Sequence, residues 1–67
     1  MSLANYRFYC LKRDDHITNV QVVACENSQA VERTARELLN REIAAAAIEV
    51  WERDHRICRV ERIKAAS

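Results

Sequence analysis

The chain of 67 residues contains no glycine and no proline. Phosphate-binding loops, glycine-rich dinucleotide turns and nucleophile elbows all need glycine, because other residues adopt their backbone conformations only at a cost. The absence of glycine therefore excludes these three kinds of site. An excess of one charge is also missing, since eleven basic residues face ten acidic ones and the net charge is +1. This balance provides no strong field for DNA or an anionic membrane.

Long apolar segments are missing as well. No stretch approaches the ~20 apolar residues that span a bilayer, and no segment resembles a signal peptide. The three cysteines, Cys10, Cys25 and Cys58, show no CxxC spacing and cannot all pair within one chain. We therefore expect a cytoplasmic protein with one small domain, residues 1–67, in which the cysteines are buried apolar residues. A chain this short buries only ~60% of its unfolded surface, so its core must be thin.

The first part of the chain predicts a β-hairpin. Residues 6–11 are rich in aromatic side chains and residues 17–24 in β-branched ones, which is typical of strands. Residues 13–15 between them fit a three-residue hairpin loop. The last position of such a loop favours a left-handed residue, and Asp15 tolerates that conformation better than most residues do.

The length of this loop fixes the predicted register. It opposes Leu11 to Ile17, and the pairing continues with Cys10 opposite Thr18, Phe8 opposite Val20 and Tyr6 opposite Val22. Strand side chains alternate between the two faces of a sheet. One face then receives Tyr6, Phe8, Cys10, Val20 and Val22, and the other receives Tyr9, Leu11 and Ile17.

A helix is predicted next. Asn27 or Ser28 can accept a hydrogen bond from the free amides of a first helical turn and so serve as the N-cap. Apolar residues then recur at helical spacing, namely Val31, Ala35, Leu38 and Leu39. The opposite face carries charged i,i+4 pairs, which are typical of a solvated surface. We expect the helix to end near Asn40, which can adopt the left-handed C-terminal cap.

The last part of the chain predicts a second hairpin, although two segments are ambiguous. Residues 48–52 alternate like a strand that starts near Ala46, whereas the alanines at 44–47 would also allow the helix to continue. Residues 56–61 fit a strand or a helix, because arginine and aliphatic residues recur every three positions. A three-residue loop at 53–55 favours the strand. It opposes Val50 to Cys58, Ile48 to Val60, Glu49 to Arg59 and Trp51 to Ile57.

Three motifs resemble those of a group of short bacterial proteins of unknown function, mainly from alphaproteobacteria. The motifs lie at residues 6–11 (YRFYCL), at the turn 13–17 (RDDHI) and at residues 47–51 (AIEVW). Members of the group usually carry glycine in both hairpin turns, where this chain has Asp15 and His55. The resemblance implies a β-β-α-β-β domain, and it implies no substrate, cofactor or active-site residue.

Together these segments predict an α+β fold, in which one helix covers one face of a four-stranded antiparallel sheet of order 2-1-3-4. The uncovered face would then present apolar side chains. They are Tyr9, Leu11, Ile17, Trp51 and Ile57. An exposed apolar patch of this kind usually marks a contact surface, and oligomerisation often stabilises a small core. We therefore expect a non-enzymatic homodimer, or a module for binding another protein, that uses this face.

Two other functions are weaker alternatives. Basic residues concentrate near the C-terminus, at Arg53, Arg56, Arg59, Arg62 and Lys64. With Tyr9 and Trp51 they could bind single-stranded nucleic acid, although interleaved acidic residues reduce the local charge. His16 and His55 lie beside aspartates and could act as a general base or metal ligand. The cysteines and histidines lack the paired spacing of structural zinc sites, so we expect no catalytic residue, no metal and no cofactor.

Overall fold

The computed structural model describes residues 3–62 and has the predicted topology. The elements are β1 (Ala4–Leu11), β2 (Ile17–Cys25), α1 (Ser28–Arg41), β3 (Ala47–Glu52) and β4 (His55–Glu61). The strands form one antiparallel sheet in the order β2-β1-β3-β4. The predicted α+β class, the β-β-α-β-β sequence of elements and the strand order are therefore confirmed.

Helix α1 covers one face of the sheet through the predicted apolar stripe. Asn27 is the N-cap, and its side-chain oxygen accepts a hydrogen bond of 2.9 Å from the backbone N–H of Ala30. The core cluster contains Val31, Ala35, Leu38 and Leu39 of α1 together with Phe8, Cys10, Ile48, Val50 and Val60 of the sheet. The predicted cap at Asn40 is wrong. The helix continues to Arg41, and the next residue, Glu42, has a φ of −89° rather than a left-handed one.

The loop between β1 and β2 has the predicted form. The backbone N–H of Lys12 donates to the carbonyl oxygen of His16 at 2.9 Å, which closes a loop of residues 13–15. Asp15 takes the left-handed position with a φ of 66°. The loop therefore sets the start of β2 as the sequence indicates, with Leu11 opposite Ile17.

A β-bulge at Thr18 then shifts the register of β2 by one residue. Cys10 opposes Asn19 instead of Thr18, and Phe8 opposes Gln21 instead of Val20. Side chains alternate along a strand, so a shift of one residue exchanges the two faces for the rest of β2.

The prediction that Val20 and Val22 lie beneath the helix is therefore wrong. They oppose Tyr9 and Arg7 on the other face. Their exposed fractions are 47% and 64%, which are values of surface residues. Val23, from the other alternating set, packs partly against the core in their place.

The turn between β3 and β4 is one residue shorter than predicted. Glu52 opposes His55, which leaves two residues in the turn. The left-handed residue is the first of them, Arg53, with a φ of 55°, as in a type II′ turn. A bulge at Ile57 compensates for the shorter turn. The predicted pairs Val50–Cys58, Ile48–Val60 and Glu49–Arg59 are confirmed, whereas Trp51 opposes Arg56 instead of Ile57.

Candidate interaction surface

The face of the sheet that points away from α1 is called the open face here. Strand register places three rows of side chains on it, each crossing all four strands from β2 to β4. The rows are Val22, Arg7, Trp51 and Arg56; Val20, Tyr9, Glu49 and Arg59; and Ile17, Leu11, Ala47 and Glu61. Along each row the side chains are apolar on β2 and charged on β4. The open face therefore has an apolar half and a charged half.

Four of the five predicted contact residues lie side by side on the open face. Tyr9, Leu11, Ile17 and Trp51 line a depression of about 300 Å³, together with Glu49. The fifth, Ile57, is the bulge residue of β4 and does not line the depression. The structure thus brings most of the predicted residues together, and it adds Val20 and Val22, which the predicted register had placed on the opposite face.

The carboxylate of Glu49 fixes the orientation of the tryptophan. Its Oε1 accepts a hydrogen bond of 2.9 Å from Nε1 of Trp51, and its Oε2 accepts one of 3.0 Å from Arg59. Arg56 lies 3.6 Å from the same Oε2. The Trp51 hydrogen bond and these two arginines lower the pKa of Glu49 and outweigh the opposing effect of desolvation. The lowered pKa keeps Glu49 ionised, and the ionised carboxylate can hold the side chain of Trp51 in position.

Arg59 joins the charged half of the open face to the first hairpin loop. Its guanidinium forms ion pairs at 3.0 Å with each of Asp15, Glu49 and Glu61. Hydrogen bonds to Asp15 and then Glu49 raise the pKa of Arg59. These pairs link β4 to β3 and to the β1–β2 loop. At the same end of the open face Leu11 and Ala47 are buried, with exposed fractions of 4% and 2%, so Leu11 is not part of the exposed surface.

Arg62 serves the helix and not the open face. Its guanidinium donates to the backbone carbonyl oxygens of Leu39, Glu42 and Ala45, at the end of α1 and just after it. Arg59 and Arg62 are thus engaged within the chain, and Lys64 lies outside the described residues. These contacts leave fewer arginines free for phosphate groups, so they do not favour the nucleic-acid alternative, which stays a prediction.

The two histidines are far from each other. Nδ1 of His16 lies 2.7 Å from Oδ2 of Asp14, and both side chains are exposed. The hydrogen bonds from His16, backbone first and then side chain, lower the pKa of Asp14. Because β1 and β3 are antiparallel, the turn before His55 lies at the opposite end of the sheet from His16. The two residues therefore do not share a site.

The three cysteines are free thiols in or beside the core. Cys10 and Cys25 are buried and Cys58 is half-buried. Burial is the main cause that raises the pKa of Cys10 and Cys58, and acidic neighbours add to it. Thiols with raised pKa values are poor nucleophiles at neutral pH. Among residues 3–62, no group of three or more histidine, cysteine or acidic side chains is arranged to hold a metal ion.

No protein-family model, curated protein or solved structure matches the chain. The resemblance to the short bacterial proteins therefore stays a prediction. None of the helices in the described part of the chain is long and apolar enough to cross a membrane.

Proposed function

We propose that the protein is a non-enzymatic binding module whose open face packs on a second copy of the chain. The observation that carries this proposal is the apolar half of the open face, where Tyr9, Ile17, Val20, Val22 and Trp51 are exposed or half-buried. No element formed by residues 3–62 covers these side chains, since α1 packs on the other face. Arg7 and Glu49 lie among these side chains, so the surface is mainly apolar and not wholly so. Exposed apolar patches often mark contact sites in proteins. The cytoplasm is the proposed compartment.

The size of the open face suits a dimer of moderate affinity. Its strands are six to nine residues long. With ~4.8 Å between strands and ~3.3 Å per residue, the face measures roughly 20 by 25 Å, or ~500 Å² in projection. Specific interfaces bury roughly 600–1,000 Å² of accessible surface per partner. Because the accessible area of a side-chain surface exceeds its projection, nearly the whole open face would have to be used.

The charges of the open face permit contact with an identical face. Glu49, Glu61 and Asp15 are paired with Arg59 within the chain. Paired charges of both signs allow two copies to approach without strong repulsion and supply a polar rim. The depression between Tyr9 and Trp51 can receive an aliphatic side chain of the second copy, and aromatic residues of this type are frequent anchors of interfaces.

The test is the mass of the intact protein in sedimentation velocity. The wild-type chain, with a protomer mass of 7.8 kDa, is expected to sediment as a larger species at ~100 µM. Trp51→Glu places a charge in the apolar half and is expected to break the open-face contact, which lowers the sedimenting mass. Ile43→Glu is the matched control, because Ile43 is 86% exposed and lies between α1 and β3, outside the open face.

Two results would contradict the proposal. One is a wild-type protein that sediments as a monomer. If that monomer also bound a single-stranded oligonucleotide in a salt-dependent way, the result would favour nucleic-acid binding. The other is a mass of folded Trp51→Glu equal to that of the wild type. If Trp51→Glu fails to fold, Ile17→Lys replaces it, since Ile17 is 59% exposed on the same face.

A further inference from the structure

Within residues 3–62, strand β2 is an edge of the sheet that lacks the usual protection. Its nine residues, Ile17–Cys25, include no charged side chain, and α1 packs mainly against β3 and β4. The opposite edge, β4, carries Arg56, Arg59 and Glu61. Natural edge strands commonly avoid pairing with other chains through charged residues, proline or bulges. β4 is protected by its charges, whereas the bulge of β2 lies near its start and leaves residues 19–25 regular.

Hydrogen bonds of β1 show which backbone groups of β2 face the sheet. The N–H of Lys12 donates to the carbonyl of His16, and the hydroxyl of Thr18 donates to the carbonyl of Cys10. Even-numbered residues of β1 therefore direct their backbone groups towards β2. Their partners in the register are the odd-numbered residues Asn19, Gln21, Val23 and Cys25.

The even-numbered residues Val20, Val22 and Ala24 consequently direct their N–H and C=O groups away from the sheet. One further contact agrees with this orientation, because the N–H of Val20 donates to the side chain of Asn19 at 2.9 Å and not to β1. The outer edge of β2 thus presents a regular set of backbone donors and acceptors centred on Val22.

The distribution of side chains on the open face points to the same edge. The open face is apolar on β2 and charged on β4, so its most exposed valine, Val22, lies at the margin of the single chain. Protein interfaces have the reverse order, with an apolar centre and a polar rim. Joining two β2 strands would bring both apolar halves to the centre of one surface and move both charged halves to its rim.

We infer that β2 pairs antiparallel with β2 of a second copy about a two-fold axis at Val22, which gives a continuous eight-stranded sheet. Val22 opposes Val22 of the second copy, and Val20 opposes Ala24 of the second copy. Each opposed pair exchanges two backbone hydrogen bonds. A second copy fits this edge because its own β2 presents the same uncharged side chains and the complementary pattern of donors and acceptors.

This inference goes beyond the proposed function and does not depend on it. A two-fold axis perpendicular to the sheet keeps both helices on one side and both open faces on the other. Two joined sheets can then still pack face to face, which would give a closed tetramer with two kinds of interface.

Amide hydrogen exchange of the wild-type chain, measured by NMR at high and low concentration, tests the pairing without a mutation. The amides of Val22 and Ala24 are expected to be protected at high concentration and to lose protection on dilution. The amides of Gln21 and Val23, which bond to β1, serve as internal controls and should stay protected at both concentrations. Unprotected Val22 and Ala24 amides at every concentration would overturn the inference.

A substitution tests the same contact by sedimentation. Val22→Pro removes an N–H that β1 does not use, so the ladder within the chain is kept. It is expected to weaken self-association roughly tenfold or more, while Val22→Thr, which keeps the N–H and the β-branch, changes it less than about threefold. An unchanged association of folded Val22→Pro would refute edge pairing and leave the open-face proposal standing. Protection of Val22 that survives in Trp51→Glu would support the edge independently of the face.

Discussion

Arg62 is predicted to contribute strongly to stability through the C-terminus of α1. Its Nη2 donates to the carbonyl oxygens of Leu39 and of Glu42, the latter at 2.8 Å, and its Nε donates to that of Ala45 at 3.0 Å. The last carbonyls of a helix have no partner within the helix, and a cation beside them also interacts favourably with the helix dipole. Arg62→Ala removes all three bonds together with the charge.

The magnitude follows from the number and the setting of these bonds. A hydrogen bond to a charged group contributes ~1.5–3 kcal/mol where it is buried, and contact with solvent reduces that figure. Two of the three bonds of Arg62 are partly buried and one is exposed. We therefore expect Arg62→Ala to lower the free energy of unfolding by ~2–3 kcal/mol. For a domain of this size the Tm would fall by roughly 10–20 °C.

Thermal unfolding followed by far-UV circular dichroism measures this change. Arg62→Lys keeps the charge but loses the planar fork of donors, so an intermediate loss is expected. Arg33→Ala is the matched control, because Arg33 lies exposed on the solvated side of α1. Its effect should stay within ~0.5 kcal/mol. A Tm of Arg62→Ala within about 2 °C of the wild-type value would refute the capping role.

Two further predictions concern the second turn and the carboxylate of the open face. Arg53→Gly should raise the free energy of unfolding by ~0.5–1 kcal/mol, because glycine adopts the left-handed φ of 55° at no steric cost. Urea unfolding measures this change. Asp54→Gly is the control, since position 54 has no positive φ, and it should lower the free energy of unfolding. The pKa of Glu49 is lowered in the folded state, so its contribution is present above the ordinary value of 4.5 and is lost as the pH falls through the folded pKa. Glu49→Gln should therefore reduce stability at pH 7 and flatten the loss below pH 4.5, and an unchanged pH profile in urea unfolding would contradict this.

The elements could be predicted because several local signals agree. The spacing of Val31, Ala35, Leu38 and Leu39 specifies one buried helical stripe, and that stripe is the one found in the core. Asn27 marks the start of α1 with a side chain that can cap it. The pairs of β3 with β4 were predictable because strand patterns and opposite charges agreed on one register, with Glu49 opposite Arg59.

The details of the second turn could not be predicted, because no glycine marks the left-handed residue. In the second turn the left-handed position falls on Arg53 instead of His55, and the bulge at Ile57 compensates for the difference. The pairs Val50–Cys58 and Ile48–Val60 lie farther from the turn and are the same for the predicted three-residue turn and the observed two-residue turn. The sequence therefore specified the strands correctly and left the turn undetermined.

The role of Arg62 could not be predicted for a different reason. In the sequence, Arg62 is only one of several basic residues near the C-terminus. The partners of Arg62 are 17 to 23 residues away in the chain, so its capping role exists only after the helix and the sheet have packed. Arg59 depends on tertiary structure in the same way, since it meets Asp15 across the sheet.

The bulge at Thr18 connects the largest error of the sequence interpretation with the proposed self-association. Without the bulge, the polar residues Asn19 and Gln21 would lie on the open face and on the outer edge, and Val20 and Val22 would lie beneath α1. That arrangement would bury two valines and expose two amides, although it would also turn Val23 and the buried Cys25 away from the core. The bulge reverses it and exposes both valines, 47% and 64%, on the open face and along the unprotected edge. Burial of Val23 and Cys25 offsets part of the loss in a monomer. A second surface that covers the two exposed valines would add further hydrophobic stabilisation, which supports a second copy as the cover.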